Sequence, residues 1–172
     1  MIDPPELPEN ELSPFHVFKF AVSFTRATLP GAAAVAATDV ALCSGAFAEC
    51  TGLEATMEPK VIKAGGANYG AAQRVGPVTF ATVVLKRGMT TTRDLWNWFQ
   101  MVAGGAYSYR LDARITMQSS SGEPQLTWIL DRALPVKFKA ADLNAKGTEI
   151  GIEELHLAHE GLRLELPAGG ER

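Results

Sequence analysis

The chain has 172 residues, a formal net charge of −3 and two cysteines. That length suits one domain able to bury a core without disulfides or metal. The acidic balance argues against duplex nucleic acid or anionic lipid as a partner, because no cationic surplus exists to displace counterions, and no apolar run approaches the roughly 20 residues that cross a bilayer as a helix.

Residues 1–14 hold four prolines and four carboxylates, a composition that resists regular structure. They are expected to form a flexible or partner-bound N-terminal arm ahead of a single domain over 15–166, with 167–172 as a C-terminal tail. The N-terminus lacks the basic and apolar regions of a signal peptide, so synthesis in a reducing cytoplasm is expected, with Cys43 and Cys50 as buried free thiols. In Phe18-Lys-Phe-Ala-Val-Ser-Phe24, alternation places Phe18, Phe20, Val22 and Phe24 on one buried strand face. The Ala-rich stretch 29–45 shows no period and reads as an insertion.

Residues 47–63 read as extended chain broken at Gly52 and Pro59, followed by the glycine-rich loop Ala64-Gly-Gly-Ala-Asn-Tyr-Gly70. This is no phosphate cradle, since the glycine spacing is wrong and a strand over Pro77–Leu85 follows instead of a helix. The clearest helical period comes next. Leu95, Trp98, Phe99 and Val102 lie at i, i+3, i+4 and i+7, predicting a helix over about 91–103 that packs on a sheet, with Thr91 and Asp94 at its start and Gly104-Gly105 at its stop.

Strict alternation from Tyr107 to Gln118 predicts a strand with one apolar face and one carrying Arg110, Asp112 and Arg114. A turn at 119–124 and a strand at Leu126–Leu130 make a hairpin. Ala133–Phe138 reads as a further strand. A loop over 142–147 leads to a strand from Glu149 to Leu157, where a change of parity predicts a bulge near Glu153-Glu154. His159-Glu-Gly161 is expected to break this strand from a last one. The fold class that follows is mainly β, a sandwich or barrel of about seven strands with one packed helix. Its core anchors are Leu95, Trp98, Phe99, Trp128 and Phe20.

No chemistry converges. His156 and His159, three apart on a strand, point to opposite faces. Neither cysteine has a histidine nearby in sequence, and no Gly-x-Ser-x-Gly or His-Glu-x-x-His motif occurs. Glu153, Glu154, Glu160 and Glu165 read as solvated carboxylates. Catalytic, cofactor and metal residues are therefore not assigned.

Taken in order, the stretches Phe18-x-Phe-x-Val-x-Phe24, Phe47-x-Glu49-x-x-Gly52-Leu53, Gly65-Gly66-x-Asn68, Leu85-Lys-Arg-Gly88, Leu95-Trp-x-Trp98, Trp128, Ala133-x-Pro135-x-Lys137, Leu143-Asn-Ala145 and Ile152–Leu162 resemble the tail tube proteins of contractile phages and the inner-tube proteins of extracellular contractile injection systems. The resemblance spans most of the chain. It implies a fold related to the tube protein of type VI secretion, with hexameric rings stacked around a lumen. It also implies no cofactor, and partners among the sheath, baseplate, spike and protein cargo of a phage-tail-like particle, without membrane insertion or nucleic-acid-specific binding. The loop around Lys63, Gly65, Gly66, Asn68 and Tyr69 would then contact neighbouring subunits. Here the chain has Lys63-Ala64 where the family usually carries acidic or polar residues. The polar face with Arg110, Asp112 and Arg114 would suit a lumen wall. Two alternatives are a tube-initiating ring of the baseplate and, from another class, a monomeric β-barrel holding a small apolar ligand against Trp128 and the Tyr107–Met117 face.

Overall fold

In the computed structural model the described residues are 17–28, 31, 39–40, 46–63, 65–66 and 69–167. The expected N-terminal arm, most of the Ala-rich insertion and nearly all of the C-terminal tail lie outside them. Among these residues the strands are β1 (Phe20–Arg26), β2 (Asp39–Val40), β3 (Glu49–Thr51), β4 (Ala55–Met57), β5 (Lys60–Ile62), β6 (Ala72–Arg74), β7 (Val78–Phe80), β8 (Val83–Gly88), β9 (Leu111–Gln118), β10 (Pro124–Lys139), β11 (Ile152–Ala158) and β12 (Gly161–Glu165), with one helix, α1 (Asp94–Ala103). The fold is mainly β, as expected. Eight strands form the main sheet in the order β2-β1-β9-β10-β11-β8-β3, with β12 also on β10, and all these neighbours are antiparallel.

The 16-residue β10 is the hinge of this arrangement. Its first half pairs with β9 and β12, and its second half with β11, so one strand belongs to two sheet regions that face each other across the core. The sequence divides it at Asp131-Arg132, where the chain instead continues through an irregularity: the register to β9 shifts between Leu130 and Ala133, and Arg132 takes φ +48°. That left-handed conformation is uncommon for a residue with a Cβ. It is held by the Arg132 N–H, which donates to Asp112 Oδ1 at 2.8 Å.

Between the two regions lie Phe24, Val83, Leu85, Leu111, Ala113, Ile115, Leu130, Ala133, Leu155 and Leu157, covered by Leu95, Trp98 and Val102 of α1. The helix therefore meets the sheet with the face its period defines. Trp98 meets Phe24 edge-on with ring centroids 5.6 Å apart. Phe99 is half-buried, and Phe20 and Trp128 pack against the core from its margin. The helix starts later than expected. Arg93 occupies its N-cap position without a side-chain cap bond, so Thr91 is not the cap. Its end follows the predicted glycine pair: Gly105 has φ +120°, its N–H donates to Val102 O and that of Ala106 to Met101 O, which satisfies the last-turn carbonyls in a Schellman motif.

Three further differences have local causes. β9 begins at Leu111, not Tyr107, because 107–110 fold into a turn in which Tyr109 N–H donates to Ala106 O. The stretch Pro77–Leu85 is two strands, interrupted at Ala81-Thr82. No bulge lies in β11, whose pairing with β8 is continuous from Ile152 to Leu157; the shift sits across from it, between Pro135 and Lys137 of β10. Phe18 is exposed, since β1 starts two residues later.

Trp98 is 1% exposed. Trp98→Ala is expected to lower the unfolding free energy of the protomer by about 3–5 kcal/mol, read as a reduced urea midpoint at unchanged slope.

Candidate functional site

The most conspicuous local structure is a long hairpin, residues 53–82, here called the finger. It prolongs the β3–β8 ladder beyond Thr51 and Val83. Its base is the β4–β7 pair, with Thr56 opposite Thr79, and its outer part is the β5–β6 pair, with Val61 opposite Gln73. Two glycines let its legs cross at close range. An added Cβ would lie 2.2 Å from Thr82 O at Gly52, which has φ +88°, and 2.0 Å from Glu58 O at Gly76. The breaks predicted at Gly52 and Pro59 are thus the two bends of the finger.

Beyond its base, where Leu53 packs on the core and Phe80 meets the ring of His159, the finger is not covered by a second layer among the described residues. All residues of β4, β5 and β6 are exposed, among them Met57, Val61 and Ile62, and Val75 and Val78 on the return leg are exposed as well. Lys63, Gly65, Gly66 and Tyr69 come together at the tip, all exposed, with the Tyr69 side chain fully in solvent. Asn68 lies outside the described residues. A two-stranded ribbon is marginal in water without a packed face, and this one presents apolar side chains along its length.

Arg110, Asp112 and Arg114 share one parity on or beside β9, on the sheet face away from the core. All three are half-buried. Arg110 Nε donates to Tyr107 O at 3.2 Å, Asp112 holds the Arg132 corner, and Arg114 Nη2 donates to Glu165 Oε2 at 2.6 Å. Across the same face, Arg163 makes a forked pair with Asp131 at 2.7 to 3.0 Å. Ile129 stands in register between Arg114 and Arg163 and is only 2% exposed, consistent with cover by the two arginine stems. The face is therefore dense with charge, and its guanidiniums are largely paired.

One charged cluster escaped sequence reading. Arg87 on β8 is 1% exposed. Its Nε donates to Glu153 Oε1 at 2.5 Å, while Nη2 and Nη1 reach Asp94 Oδ1 and Oδ2 at 2.6 and 3.4 Å. Glu153 is directly opposite Arg87 on β11 and is buried, not solvated as expected. The parity change along 149–157 thus has a different origin from a bulge. Glu153 takes the inward position in line with Leu155 and Leu157, and Ile152 turns outward. Burial alone would raise the Asp94 pKa, but hydrogen bonding and charge from Arg87, with the N–H groups of Asp94 and Leu95, outweigh it and hold the carboxyl below its usual range. His156 and His159 do not converge with a third ligand, and no metal-holding group occurs among the described residues. Among the described residues no helix is long and apolar enough to cross a membrane.

A two-region β-subunit with a helix across its core and an unbacked apolar hairpin has the form of a component of a larger assembly. The chain belongs to the family described as T4-like virus tail tube protein gp19, which matches residues 16–163. Among solved structures it is similar to a chain of the anti-feeding prophage baseplate (6-fold symmetrised), at 25% identity over 90% of this chain and 97% of that one, TM-score 0.73. It is also similar to chains of an extracellular contractile injection system: one from the PVC sheath/tube terminator in its extended state (16% identity, 90% and 99% coverage, TM-score 0.69), and one from the PVC sheath-tube complex (16%, 89% and 92%, TM-score 0.65). No curated protein matches the chain in sequence. The family is one of structural tail tube proteins, not of enzymes.

Removing the guanidinium in Arg87→Met leaves Glu153 buried without its cation, and a loss of about 3–5 kcal/mol in unfolding free energy is expected. The acid response has a definite sign. A carboxyl with a depressed folded pKa stabilises the fold fully above its unfolded pKa of about 4, and that stabilisation is lost as pH falls through the lower folded value. The melting temperature should therefore fall on acidification below about pH 4, and Asp94→Asn should flatten that fall.

Proposed function

We propose that this chain is the subunit of the inner tube of a contractile injection system or phage tail, assembled as hexameric rings that stack around a lumen. The observation that carries this reading is the finger, whose apolar side chains Met57, Val61, Ile62, Val75 and Val78 lie exposed and whose tip holds Lys63, Gly65, Gly66 and Tyr69. Such a ribbon is stabilised when another copy supplies the layer it lacks. Sheath, baseplate and spike are the partners of such a tube, and its lumen passes protein cargo. The face of Arg110, Asp112 and Arg114 is assigned to the lumen: its polar residues repeat at period two across adjacent strands, as a wet wall requires. Residues 15–166 act as the single tube domain in this reading.

Electron microscopy of the purified protein over a concentration series checks it. Rings or tubes with six-fold end views are expected; a uniform monomer at high concentration would sink it. The wall assignment has its own test. Arg110→Cys should react with a small maleimide in both dispersed and assembled protein, but with a bulky polyethylene-glycol maleimide far more slowly once tubes form. Equal rates would place the residue outside.

A further inference from the structure

The finger leaves the body where its ladder is interrupted. Thr51 pairs with Val84 and Ala55 with Phe80. Between these pairs Gly52 takes φ +88°, Glu54 N–H turns back to Gly52 O at 2.8 Å, and Ala81 N–H donates across to Glu54 O at 3.1 Å. A continuous ladder would fix the direction of the ribbon, whereas this one can bend at its root. Its direction therefore depends on side chains. Leu53 of the outgoing leg packs on the core, and Phe80 of the returning leg meets the ring of His159, with centroids 5.2 Å apart and planes at 40°. One contact would leave a pivot; two, on different parts of the body, define an angle.

His159-Glu160 joins β11 to β12 and passes from one sheet region to the other beside Asp131-Arg132 of β10. The two corners are tied together. Glu160 N–H donates to Asp131 O at 3.0 Å, and the Arg132 guanidinium donates to the Glu160 carboxylate. Gly161 runs so close to Asp131 that an added Cβ would lie 2.6 Å from its Oδ2. The imidazole is held from the same corner. Gly161 O can only accept, so Nδ1, 2.8 Å away, is the donor. Nε2 is then left buried with no hydrogen-bond partner among the described residues. Burying a polar atom without a partner is unfavourable, so the ring keeps this position through its contact with Phe80 and its Nδ1 bond, not through its second nitrogen.

We propose that His159 is a positioning residue that sets the angle of the finger and couples it to the Asp131-Arg132 corner of the charged face. A displacement of that corner moves Glu160 and, through the imidazole, Phe80 and the finger. Because coupling between sites is reciprocal, a displaced finger strains the corner in turn. The device is complete within one subunit and does not depend on the tube reading.

Hydrogen exchange of the full chain, read by mass spectrometry on dispersed subunits at low concentration, tests the coupling. Glu160→Ala removes the exposed carboxylate that pairs with Arg132. Exchange at the finger root, residues 54–58 and 78–82, is expected to quicken about three- to tenfold, while that of α1 keeps the parent rate. Phe80→Leu and His159→Ala should each quicken the same amides. Adding Glu160→Ala to either should then change nothing more, because the connection is already cut. An unchanged finger root in Glu160→Ala, or a Glu160→Ala effect that adds in full to that of Phe80→Leu, overturns the proposal. So does a quickening that reaches α1 equally, which would mark a loss of global stability. Phe80→Leu keeps an apolar side chain at a half-buried site, so the cycle with Glu160→Ala can be read even where His159→Ala does not fold.

Discussion

The fold turns on the point where Arg87 is driven into the core by its place on β8. Strand parity makes Arg87 follow Val83 and Leu85 inward, and an unpaired guanidinium there would be strongly unfavourable. Two carboxylates from different elements meet it: Glu153, opposite on β11, and Asp94, at the start of α1. Each partner is specified by geometry as well as charge, because the planar guanidinium fork donates to carboxylates only in certain directions. The cluster therefore sets the register of β11 on β8 and the place where the helix begins. The hydroxyl of Thr91 is not needed at the helix start, since the Asp94 carboxylate already lies against the N–H groups there.

Once β8 is fixed at its centre, both ends become usable. The ladder with β3 runs out through Gly52 into the finger, and the ladder with β11 runs back to the loop between β10 and β11. Burying an apolar side chain is worth about 1.5–3 kcal/mol, and beyond Leu53 and Phe80 at its base the finger buries almost none against the described residues. An element that is marginal by itself thus favours association without requiring any change in the body of the fold.

Periodicity made some of this legible and tertiary pairing hid the rest. The face Leu95–Trp98–Val102 and the alternation of Leu111, Ala113 and Ile115 depend on a single element contacting a core, so their pattern carried through. Arg87 and Glu153 were opaque because a charge at an inward position looks like a break in pattern until its partner on the neighbouring strand is known. The same holds for β10. Asp131-Arg132 resembles a strand end, and only the Asp112 side chain, twenty residues earlier, explains how the chain passes through φ +48° and continues. Asp112 was picked out by parity alone as a surface charge; it also anchors the corner between the two sheet regions. In the finger the bends at Gly52 and Pro59 were readable, but its lack of cover among the described residues depends on how the distant elements pack. The tip glycines were singled out by family resemblance, not by any periodic signal.

The charged face of β9, β10 and β12 raises a question of purpose that energetics narrows. Exposed ion pairs such as Arg114–Glu165 and Arg163–Asp131 each add about 0–1 kcal/mol to stability, too little to explain why so many stand on one face. Their effect on the surrounding solvent is larger. Opposite charges held within 3 Å of each other cancel at distances beyond a Debye length of about 8 Å, so the face is wet and polar yet projects little net field. Ile129, beneath the arginine stems, offers no apolar hold either. A wall built from this surface would wet its contents without binding them strongly by charge or by hydrophobic contact, which is the physical requirement for a channel whose contents must move along it.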